Sequence, residues 1–309
     1  MKKWSRFLLP AFGILLTGNS CTPRLRLLKT TYFESYPSAS SLDYGDGHLY
    51  MLGDDAPQVM VLDSDHQVTD SIALFEGATG RLAKSDKPDF ESTFFYQPSA
   101  DRRYLITVGS FSTPRRNRLG WIDLGTRRTE KIATVELQVP GIEELNIEGA
   151  ALVGDQLVLS NRANNSHPTN YLVLMPVDAS RIIGSAASRL LQIDLPTLRT
   201  IAGISSVSYC RENDLLLFTA STENTTNAYT DGAIGNSYLG LISHASKKLG
   251  QARLTPDRFL SLAPFLHEKT PQKIESVVVE KCIDGVLTLH LAADNDNGKS
   301  TLFKMQWRL

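Results

Sequence analysis

The sequence predicts an all-β protein whose strands form a β-propeller, a ring of five blades with four strands each. Short runs rich in Val, Ile, Leu, Tyr and Phe are separated along the chain by Gly, Asp, Asn and Ser, as in short strands joined by turns. One such unit occurs five times, at intervals of 51 to 70 residues. A period of this length, with several strands in each unit, is typical of propeller blades rather than of helical solenoids.

The repeated unit is clearest in residues 146–160, where a glutamate precedes an apolar run, a Gly-Asp turn and a second apolar run. We interpret this stretch as a β-hairpin that opens a blade with its strands a and b. Equivalent hairpins begin elsewhere with a glutamate or a serine, and small residues follow the glutamates, which predicts tight packing between blades. We call the five first residues the anchors: Ser40, Glu91, Glu148, Ser205 and Glu275.

Each hairpin is followed by a third strand, c, and then by an outer strand, d. The predicted c strands are 58–62, 119–124, 171–175, 238–242 and 301–307, and the predicted d strands are 71–75, 131–135, 189–193 and 258–262. The fifth unit has no d strand after it, but residues 24–28 show the same pattern before the first anchor. Because a closed ring hides the edges of its sheets, we predict that this N-terminal strand completes blade 5.

Three details of this architecture stay open at the level of sequence. The long interval between the anchors at 205 and 275 leaves a six-bladed ring as an alternative, although we expect its extra length to lie in a loop at 221–236. A short helix is expected at 179–188. Two all-β domains with similar hairpins are the alternative to a single domain over residues 21–309.

Composition excludes several classes of protein. With 309 residues, 42% of them hydrophobic, the chain is long enough to bury a sizeable core. Its formal net charge of −1 argues against nucleic-acid binding, and its 3 cysteines are too few for a disulfide framework. A disulfide between Cys210 and Cys282 would require their two turns to touch, so we expect buried thiols there.

The N-terminus predicts export. Basic residues precede an apolar run at 7–16 that is too short to span a bilayer, so residues 1–20 resemble a signal peptide. Residues 17–21 resemble a bacterial lipobox, in which Cys21 is lipidated and becomes the mature N-terminus. This predicts an outer membrane lipoprotein of the cell envelope, facing the periplasm or the surface. The small residues before Cys21 also suit ordinary signal peptidase, which leaves a soluble periplasmic or secreted protein as the alternative.

Propeller geometry predicts where the anchor glutamates meet. Equivalent positions in a closed ring converge on its axis, and the b-to-c loops open on the same face because successive strands alternate in direction. These loops are more polar than the a-to-b turns, and function concentrates in such loops. We therefore predict ligand-binding residues at this channel mouth, namely Asp54, Asp55, Asn161, Arg162 and Glu223.

Three carboxylates that converge on a channel repel one another and need a cation, a shared proton or basic partners. Lys87 and Lys273 lie near two of them in the sequence, but nothing there fixes their direction. Oxygen ligands alone favour a hard ion such as Ca²⁺, so we predict a calcium site at Glu91, Glu148 and Glu275. In the alternative, each glutamate accepts hydrogen bonds from backbone N–H groups of a neighbouring blade.

No residue pattern identifies a catalytic group. The six histidines lack the spacing of metal ligands, and His48 and His290 lie in predicted b strands. A G-x-S-x-G nucleophile elbow is absent. Residues 294–298 are similar to the start of a calcium-binding loop, but they lack its later glutamate and therefore predict a turn.

Three of the anchor motifs resemble those of a known group of propellers. These are K-P-D-F-E at 87–91, I-E-G-A at 147–150 and K-I-E-S at 273–276, each followed by a hairpin. They are similar to the esterase-like phytase and SdiA-regulated group, and more closely to exported propellers of Bacteroidetes. In the phytase-like relatives, acidic residues at the channel mouth hold Ca²⁺ ions that neutralise a phosphoester. Here serine replaces the acid at Ser40 and Ser205.

The sequence therefore favours a non-catalytic, lipid-anchored propeller that binds a small polar ligand or an envelope protein at an acidic channel mouth. A Ca²⁺-dependent, phytase-like phosphoesterase and a structural component of an envelope complex are the alternatives. The expected partners are the membrane, through the lipid anchor, and this ligand or protein.

The lipobox generates a direct test. If Cys21 is lipidated, the wild-type protein expressed in a Gram-negative host will partition into the detergent phase, and Cys21→Ser will move it to the aqueous phase. Phase partitioning followed by immunoblotting measures this. A wild-type protein found only in the aqueous phase would instead support the ordinary signal peptide.

Overall fold

Five blades, each with four antiparallel strands in the expected order, form a ring in the computed structural model, which describes residues 25–177, 188–223 and 233–309. The first strands of successive blades contact one another in a closed cycle, so they are the innermost strands around a central channel. This confirms the predicted five-bladed β-propeller. The expected helix at 179–188, apart from Ser188, and the predicted export signal with Cys21 lie outside the described residues.

With strands numbered in chain order, the first three blades follow the predicted a-b-c-d sequence. Blade 1 consists of β2 (Ala39–Gly45), β3 (His48–Gly53), β4 (Gln58–Asp63) and β5 (Val68–Ala73). Blade 2 consists of β6 (Phe90–Ser99), β7 (Arg102–Gly109), β8 (Arg118–Asp123) and β9 (Arg128–Thr134). Blade 3 consists of β10 (Ile147–Val153), β11 (Gln156–Asn161), β12 (Asn170–Pro176) and β13 (Arg189–Ile193).

The last two blades differ from this simple order in their outer strands. Blade 4 consists of β14 (Ala202–Cys210), β15 (Leu215–Glu223), β16 (Ile234–Ser243) and β18 (Arg258–Ser261). Blade 5 consists of β19 (Ile274–Ile283), β20 (Val286–Asp294), β21 (Ser300–Arg308) and β1 (Leu25–Phe33). The other described elements are two short helices, α1 (Ala245–Lys248) and α2 (Ala263–Leu266), two 3₁₀ turns, Pro114–Arg116 and Arg211–Asn213, and one two-residue strand, β17 (Arg253–Leu254). None of the helices in the described ranges is long and apolar enough to span a bilayer.

The N-terminal strand closes the ring as predicted. Strand β1 pairs antiparallel with β21, from Leu25 opposite Trp307 to Phe33 opposite Ser300. It is longer than the five residues expected at 24–28. The first strand of the chain therefore supplies the outer edge of the last blade.

The long interval between the fourth and fifth anchors has a different cause from the one expected. Its extra length is not confined to the loop at 221–236, because residues 244–257 form α1 and a short strand, β17 (Arg253–Leu254), between β16 and β18. Strand β17 leaves blade 4 and pairs in parallel with β13 at the outer edge of blade 3. The insertion thus covers a sheet edge instead of building a sixth blade.

The core lies between the blades. Five clusters of buried apolar side chains fill the five interfaces between neighbouring blades, including the interface between blades 5 and 1. Both faces of each blade are therefore covered, and the strands carry nearly continuous apolar runs, such as β20, where eight of nine residues are buried. The cluster between blades 4 and 5 includes Leu25 of β1, so the closing strand contributes to the core.

Each of the five anchors is the extra residue of a β-bulge near the start of its innermost strand. The pairing register with the second strand shifts across every anchor, for example between Ile147 and Gly149, which flank Glu148. The same shift occurs across the anchors Ser40, Glu91, Ser205 and Glu275. Because a bulged residue leaves the hydrogen-bonded ladder and is re-aimed, this explains why a carboxylate can stand at an equivalent place in three blades.

The residue after each bulge packs closely against the next blade, as its small size predicts. The hydroxyl of Ser276 accepts a hydrogen bond from the Leu42 backbone N–H at 2.9 Å, and that of Ser206 accepts one from the Val277 N–H at 3.2 Å. At the equivalent Gly149, a Cβ would lie only 2.5 Å from the backbone nitrogen of Val207. A larger residue at these positions would push neighbouring blades apart.

The closure generates a prediction about stability. Deleting residues 22–29 removes most of β1, exposes the edge of β21 and uncovers the core beneath Leu25. We expect the melting temperature to fall by about 5–10 °C, with aggregation on heating. Deleting residues 22–24 leaves β1 whole and is the matched control. If the longer deletion melts like this control, β1 does not stabilise the ring.

Candidate functional site

A cavity of about 360 Å³ opens at the end of the channel where the anchor bulges lie. Its lining is highly charged, with nine carboxylates and six cationic side chains among the described residues, a formal excess of three negative charges. The carboxylates are Asp54, Asp55, Asp89, Glu91, Glu148, Glu223, Glu275, Asp294 and Asp296, and the cations are Arg81, Lys84, Lys87, Arg116, Arg162 and Lys273. The three anchor glutamates thus share one cavity, as the repeat predicts.

Arg162 is the central cation on the side of blades 3 to 5. Its guanidinium lies 2.9 Å from a Glu223 carboxylate oxygen, 3.5 Å from Glu148 Oε2 and 3.6 Å from Glu275 Oε2. It also donates a hydrogen bond to Ser221 Oγ at 2.9 Å. Its side chain is only 6% exposed, so this group replaces water for three carboxylates from three blades.

Lys273 adds a second positive charge to the same group. Its ammonium nitrogen lies 3.0 Å from Glu275 Oε1 and 3.9 Å from Glu223 Oε2. The side chain points into the site and is 13% exposed. Two of the three glutamates predicted to bind calcium, Glu148 and Glu275, therefore have cationic side chains as close partners.

A separate charged group lies on the side of blades 1 and 2. Lys87 forms ion pairs with Asp54 and, at 3.0 Å, with Asp89, and the second Asp89 oxygen lies 2.8 Å from Arg116. Carboxylate oxygens of Asp54, Asp89 and Glu91 all lie within 4.8 Å of one another. This compact set of oxygens has the ligand chemistry that a divalent cation prefers.

Desolvation dominates the protonation of the site. Burial raises the pKa of Glu148 to about 7 although Arg162 opposes the shift, and it raises the pKa of Asp294 to about 7 with help from Asp54. Burial also raises the pKa of Asp54 to about 6 against the effect of Lys87. The pKa of Glu91 lies well above its ordinary value because of burial and the nearby carboxylates of Asp89 and Glu148. The site therefore favours protons or another cation over bare carboxylates.

Four of the five predicted ligand-binding residues line this cavity: Asp54, Asp55, Arg162 and Glu223. Asn161 is buried beside it, and its amide oxygen accepts a hydrogen bond from the Asn146 N–H at 2.7 Å, so its contacts brace the loop. Both lysines whose direction the sequence left open point inward. The calcium site at Glu91, Glu148 and Glu275 remains a prediction, although only Glu91 belongs to the compact oxygen set.

Sequence reasoning missed several lining residues. Arg81 comes from the connection between blades 1 and 2 and pairs with Asp55 at 2.6 Å, and no repeat marks that connection. Asp89 could have been suspected from the alternation of charged residues at Lys87, Asp89 and Glu91, although its side chain reaches the cavity from a left-handed backbone (φ +55°) that the sequence did not predict. Asp294 begins the predicted turn at 294–298 and accepts a hydrogen bond from the Asp296 N–H at 2.9 Å, which confirms the turn while placing both carboxylates at the cavity.

The opposite channel mouth has a different character. A larger cavity of about 930 Å³ there is bordered by aromatic residues such as Tyr44, Phe95 and Tyr209 and by the free thiols Cys210 and Cys282. Both cysteines are free thiols, and of the two only Cys210 is buried as expected, because Cys282 is partly exposed.

The fold and this charged mouth define the chain as a five-bladed β-propeller with a polar cavity at one end of its channel. It belongs to the Family of unknown function (DUF6929), whose model matches residues 35–307. Comparison with curated proteins gives no significant match. The resemblance to the phytase-like and SdiA-regulated group remains a prediction.

Solved structures similar to the chain share little of its sequence. The crystal structure of Myxococcus xanthus glutaminyl cyclase is 13% identical, covers 93% of this chain and 97% of its own, and superimposes with a TM-score of 0.51. A member of the DUF4221 family from Bacteroides vulgatus is 10% identical, covers 92% of this chain and 98% of its own, and gives a TM-score of 0.46. At 13% identity, the likeness to the cyclase shows the fold alone.

The position of Arg162 generates a prediction. Arg162→Met leaves the carboxylates of Glu148 and Glu223 buried without their main partner, which we expect to cost about 3–5 kcal/mol of unfolding free energy at pH 8. The loss should be smaller at pH 5, because the Glu148 carboxyl, whose pKa burial raises to about 7, then holds a proton, and adding Glu148→Gln should restore part of it at pH 8.

Urea denaturation at the two pH values measures these differences. Arg253→Met is the control, since Arg253 is 65% exposed and solvent screens its ion pair with Asp194, so its loss should be much smaller. Equal losses for the two arginine variants would show that Arg162 does not hold the site together.

Proposed function

We propose that the channel mouth binds a small polar molecule that carries one or more protonated amines. The observation that carries this proposal is the charge imbalance of the cavity, nine carboxylates against six cationic side chains. In a partly desolvated site such an excess is unfavourable unless protons or bound cations offset it. A cationic ligand supplies that charge without requiring the carboxylates to be protonated.

Buried acceptor atoms support the same conclusion. Asp54 Oδ1 and Asp55 Oδ1 are buried, and neither accepts a hydrogen bond within the described part of the chain. Both residues line the cavity, and Asp55 is only 3% exposed. An ammonium group offers three hydrogen-bond donors and no acceptor, so it suits such oxygens. A cavity of about 360 Å³ also falls in the usual range for small-molecule sites, roughly 300–1,000 Å³.

The cationic side chains argue against a simple anion site. Arg162, Lys273, Lys87 and Arg81 each form an ion pair with a carboxylate of the lining. An anion would have to compete with these carboxylates and would add to the negative excess. A ligand that carries both an amine and an anionic group is still compatible with the cavity, provided that its amine faces the side of blades 1 and 2.

A divalent cation is the second candidate for this cavity. The oxygens of Asp54, Asp89 and Glu91 are close enough together to share one ion, and carboxylates are the ligands that Ca²⁺ prefers. The Lys87 ammonium now occupies the neighbourhood of two of them and would have to move. A bound Ca²⁺ would favour the phosphoesterase alternative, since a metal ion can polarise a phosphoryl oxygen.

We infer that this binding takes place in the bacterial cell envelope, because the N-terminal sequence resembles that of an exported lipoprotein. The ligand would then be a molecule of the periplasm or of the medium. A structural role in an envelope complex is the remaining alternative and predicts co-purification with an envelope protein and no saturable small-molecule binding.

Titration calorimetry at pH 8 and low salt tests the proposal with putrescine, a diamine that fits the cavity in size, and with succinate as the anionic control. We expect saturable binding of putrescine only, weakened about tenfold or more by Asp55→Asn, which corresponds to about 1.4 kcal/mol. Asp194→Asn, on the outer surface of blade 3, is the matched control and should bind like wild type.

The outcomes separate the candidates. Putrescine binding that is equal in Asp55→Asn and Asp194→Asn, or no binding at all, would contradict an amine site. Saturable binding of Ca²⁺ that is lost in Glu91→Gln would support the metal site instead. A rise in melting temperature with millimolar Ca²⁺ that is absent in Glu148→Gln would identify the anchor glutamates as its ligands.

A further inference from the structure

A chain of four buried or partly buried side chains lies at the interface between blades 5 and 1. None of the four lines the charged cavity at the anchor end of the channel, although Glu280 also borders the larger cavity at the opposite mouth. Thr31 Oγ1 lies 2.9 Å from His66 Nδ1, His66 Nε2 lies 2.8 Å from His290 Nδ1, and His290 Nε2 lies 3.0 Å from Glu280 Oε2. The two histidines are 1% and 0% exposed. Two imidazoles in direct hydrogen-bond contact are thus removed from solvent.

The chain crosses the place where the ring closes. Thr31 belongs to the N-terminal strand β1, and His66 lies in the turn between β4 and β5 of blade 1 with a left-handed backbone (φ +61°). His290 and Glu280 belong to β20 and β19 of blade 5. We call these four residues the seam relay: Thr31, His66, His290 and Glu280.

Lysines from blade 5 fasten the same turn of blade 1. Lys304 donates a hydrogen bond to the Ser64 carbonyl at 2.8 Å and lies 3.0 Å from Glu280 Oε2. Lys29 of β1 donates a hydrogen bond to the Asp65 carbonyl. Side chains of β1 and β21 are therefore hydrogen-bonded to the backbone of the same turn that carries His66.

The hydrogen bonds fix the proton positions of the relay. Glu280 accepts a hydrogen bond from His290. This bond, together with Lys281 and Lys304, holds the pKa of the Glu280 carboxyl far below its usual range, so the carboxylate can only accept hydrogen bonds. His290 must then carry its proton on Nε2 and accept through Nδ1. His66 donates from Nε2 to that atom and accepts from the Thr31 hydroxyl through Nδ1. Both histidines are neutral in this arrangement.

The surroundings oppose an added proton. His66 faces His290, Lys29, Lys304 and Asp63. Burial, followed by the effects of His290, Lys29 and Lys304, lowers the pKa of His66 to about 3, while Asp63 opposes this shift. Burial also lowers the pKa of His290, although Glu280 and Asp65 favour its charged form, while Lys304 opposes it and the Tyr44 ring stacks on it at 6.2 Å.

The sign of the linkage follows from these shifts. Exposed histidines take up protons near pH 6.5, so an opened seam binds up to two more protons than the closed seam as the pH falls from 6.5 towards 3. The stabilisation by neutral, buried histidines is complete above this window and is lost as the pH falls through it.

We propose that the seam relay is an acid-sensitive latch, so that protonation of His66 and His290 below about pH 6 releases β1 and blade 5 from blade 1 and opens the ring. Opening would start here because β1 has one strand neighbour, β21, and is only partly buried along most of its length. For each additional proton that the open seam binds, the equilibrium constant for opening rises about tenfold when the pH falls by one unit. Two histidines therefore give a rise of about a hundredfold per pH unit.

Hydrogen exchange of the full-length protein at pH 7.5, 6 and 5, corrected for intrinsic exchange rates, tests the latch. We expect the opening of β1 and of residues 63–67 to rise by up to about a hundredfold per pH unit below pH 6 in wild type and by about tenfold in His290→Gln, which keeps one histidine. His48→Gln, which changes a partly exposed histidine of blade 1 that lies outside the seam relay, is the control and should behave like wild type. The channel carboxylates are the same in all three proteins, so their titration cancels in the comparison.

A measurement on wild type guards against misfolded variants. Nitrogen NMR of ¹⁵N-histidine-labelled protein should show two neutral histidines, each protonated on Nε2, that do not titrate between pH 7.5 and 6 while the protein is folded. The latch is excluded if both histidines titrate near pH 6.5 in the folded protein. It is also excluded if β1 opens with the same pH dependence in His290→Gln as in wild type, or if all five blades lose protection together.

Discussion

The β-bulge at the start of every innermost strand is the constraint on which both the ring and its channel mouth depend. The bulged residue leaves the ladder, and four of the five anchors, Ser40, Glu91, Glu148 and Glu275, line the cavity. The fifth, Ser205, donates instead to the Ile274 carbonyl of blade 5 at 2.7 Å. The next residue is small because it meets the backbone of the neighbouring blade. One irregularity per blade therefore sets both the spacing of the blades and the chemistry at the axis.

This arrangement explains how the protein concentrates so much charge without losing its fold. Carboxylates at equivalent positions must approach one another, and the chain compensates them with cations from the adjoining connections instead of from the strands. Arg162 follows β11, Lys273 precedes β19 and Lys87 precedes β6, so each cation belongs to a segment that can adapt while the strands stay regular. The compensation is incomplete, and the remaining negative charge supports the proposed cation-binding role rather than a purely structural network.

Local and periodic signals explain which features the sequence could predict. The five anchors and the closing strand follow from a repeat and from counting strands, and the structure confirms both. The directions of the Lys87 and Lys273 side chains depend on the β-bulges beside them, and the strand propensities of the residues do not predict a bulge. The contact between His66 and His290 joins residues 224 positions apart, on a turn and on a strand, and neither position has a local signature. Strand β17 pairs with blade 3 through two residues, too few for a strand pattern in the sequence.

The channel mouth and the seam respond to pH in opposite directions. Carboxyls such as Glu148 and Asp294, with pKa values of about 7, make the folded chain bind more protons than the unfolded chain, so their contribution to stability falls as the pH rises from about 4 to 7. The buried histidines of the seam contribute stability that falls as the pH decreases from 6.5. Because these two pH ranges overlap, the total free energy of unfolding can vary little with pH even though the two contributions change in opposite directions. Acid stabilises the site and weakens the closure, and a cation bound at the mouth would lower the pKa values of its carboxyls without affecting the histidines.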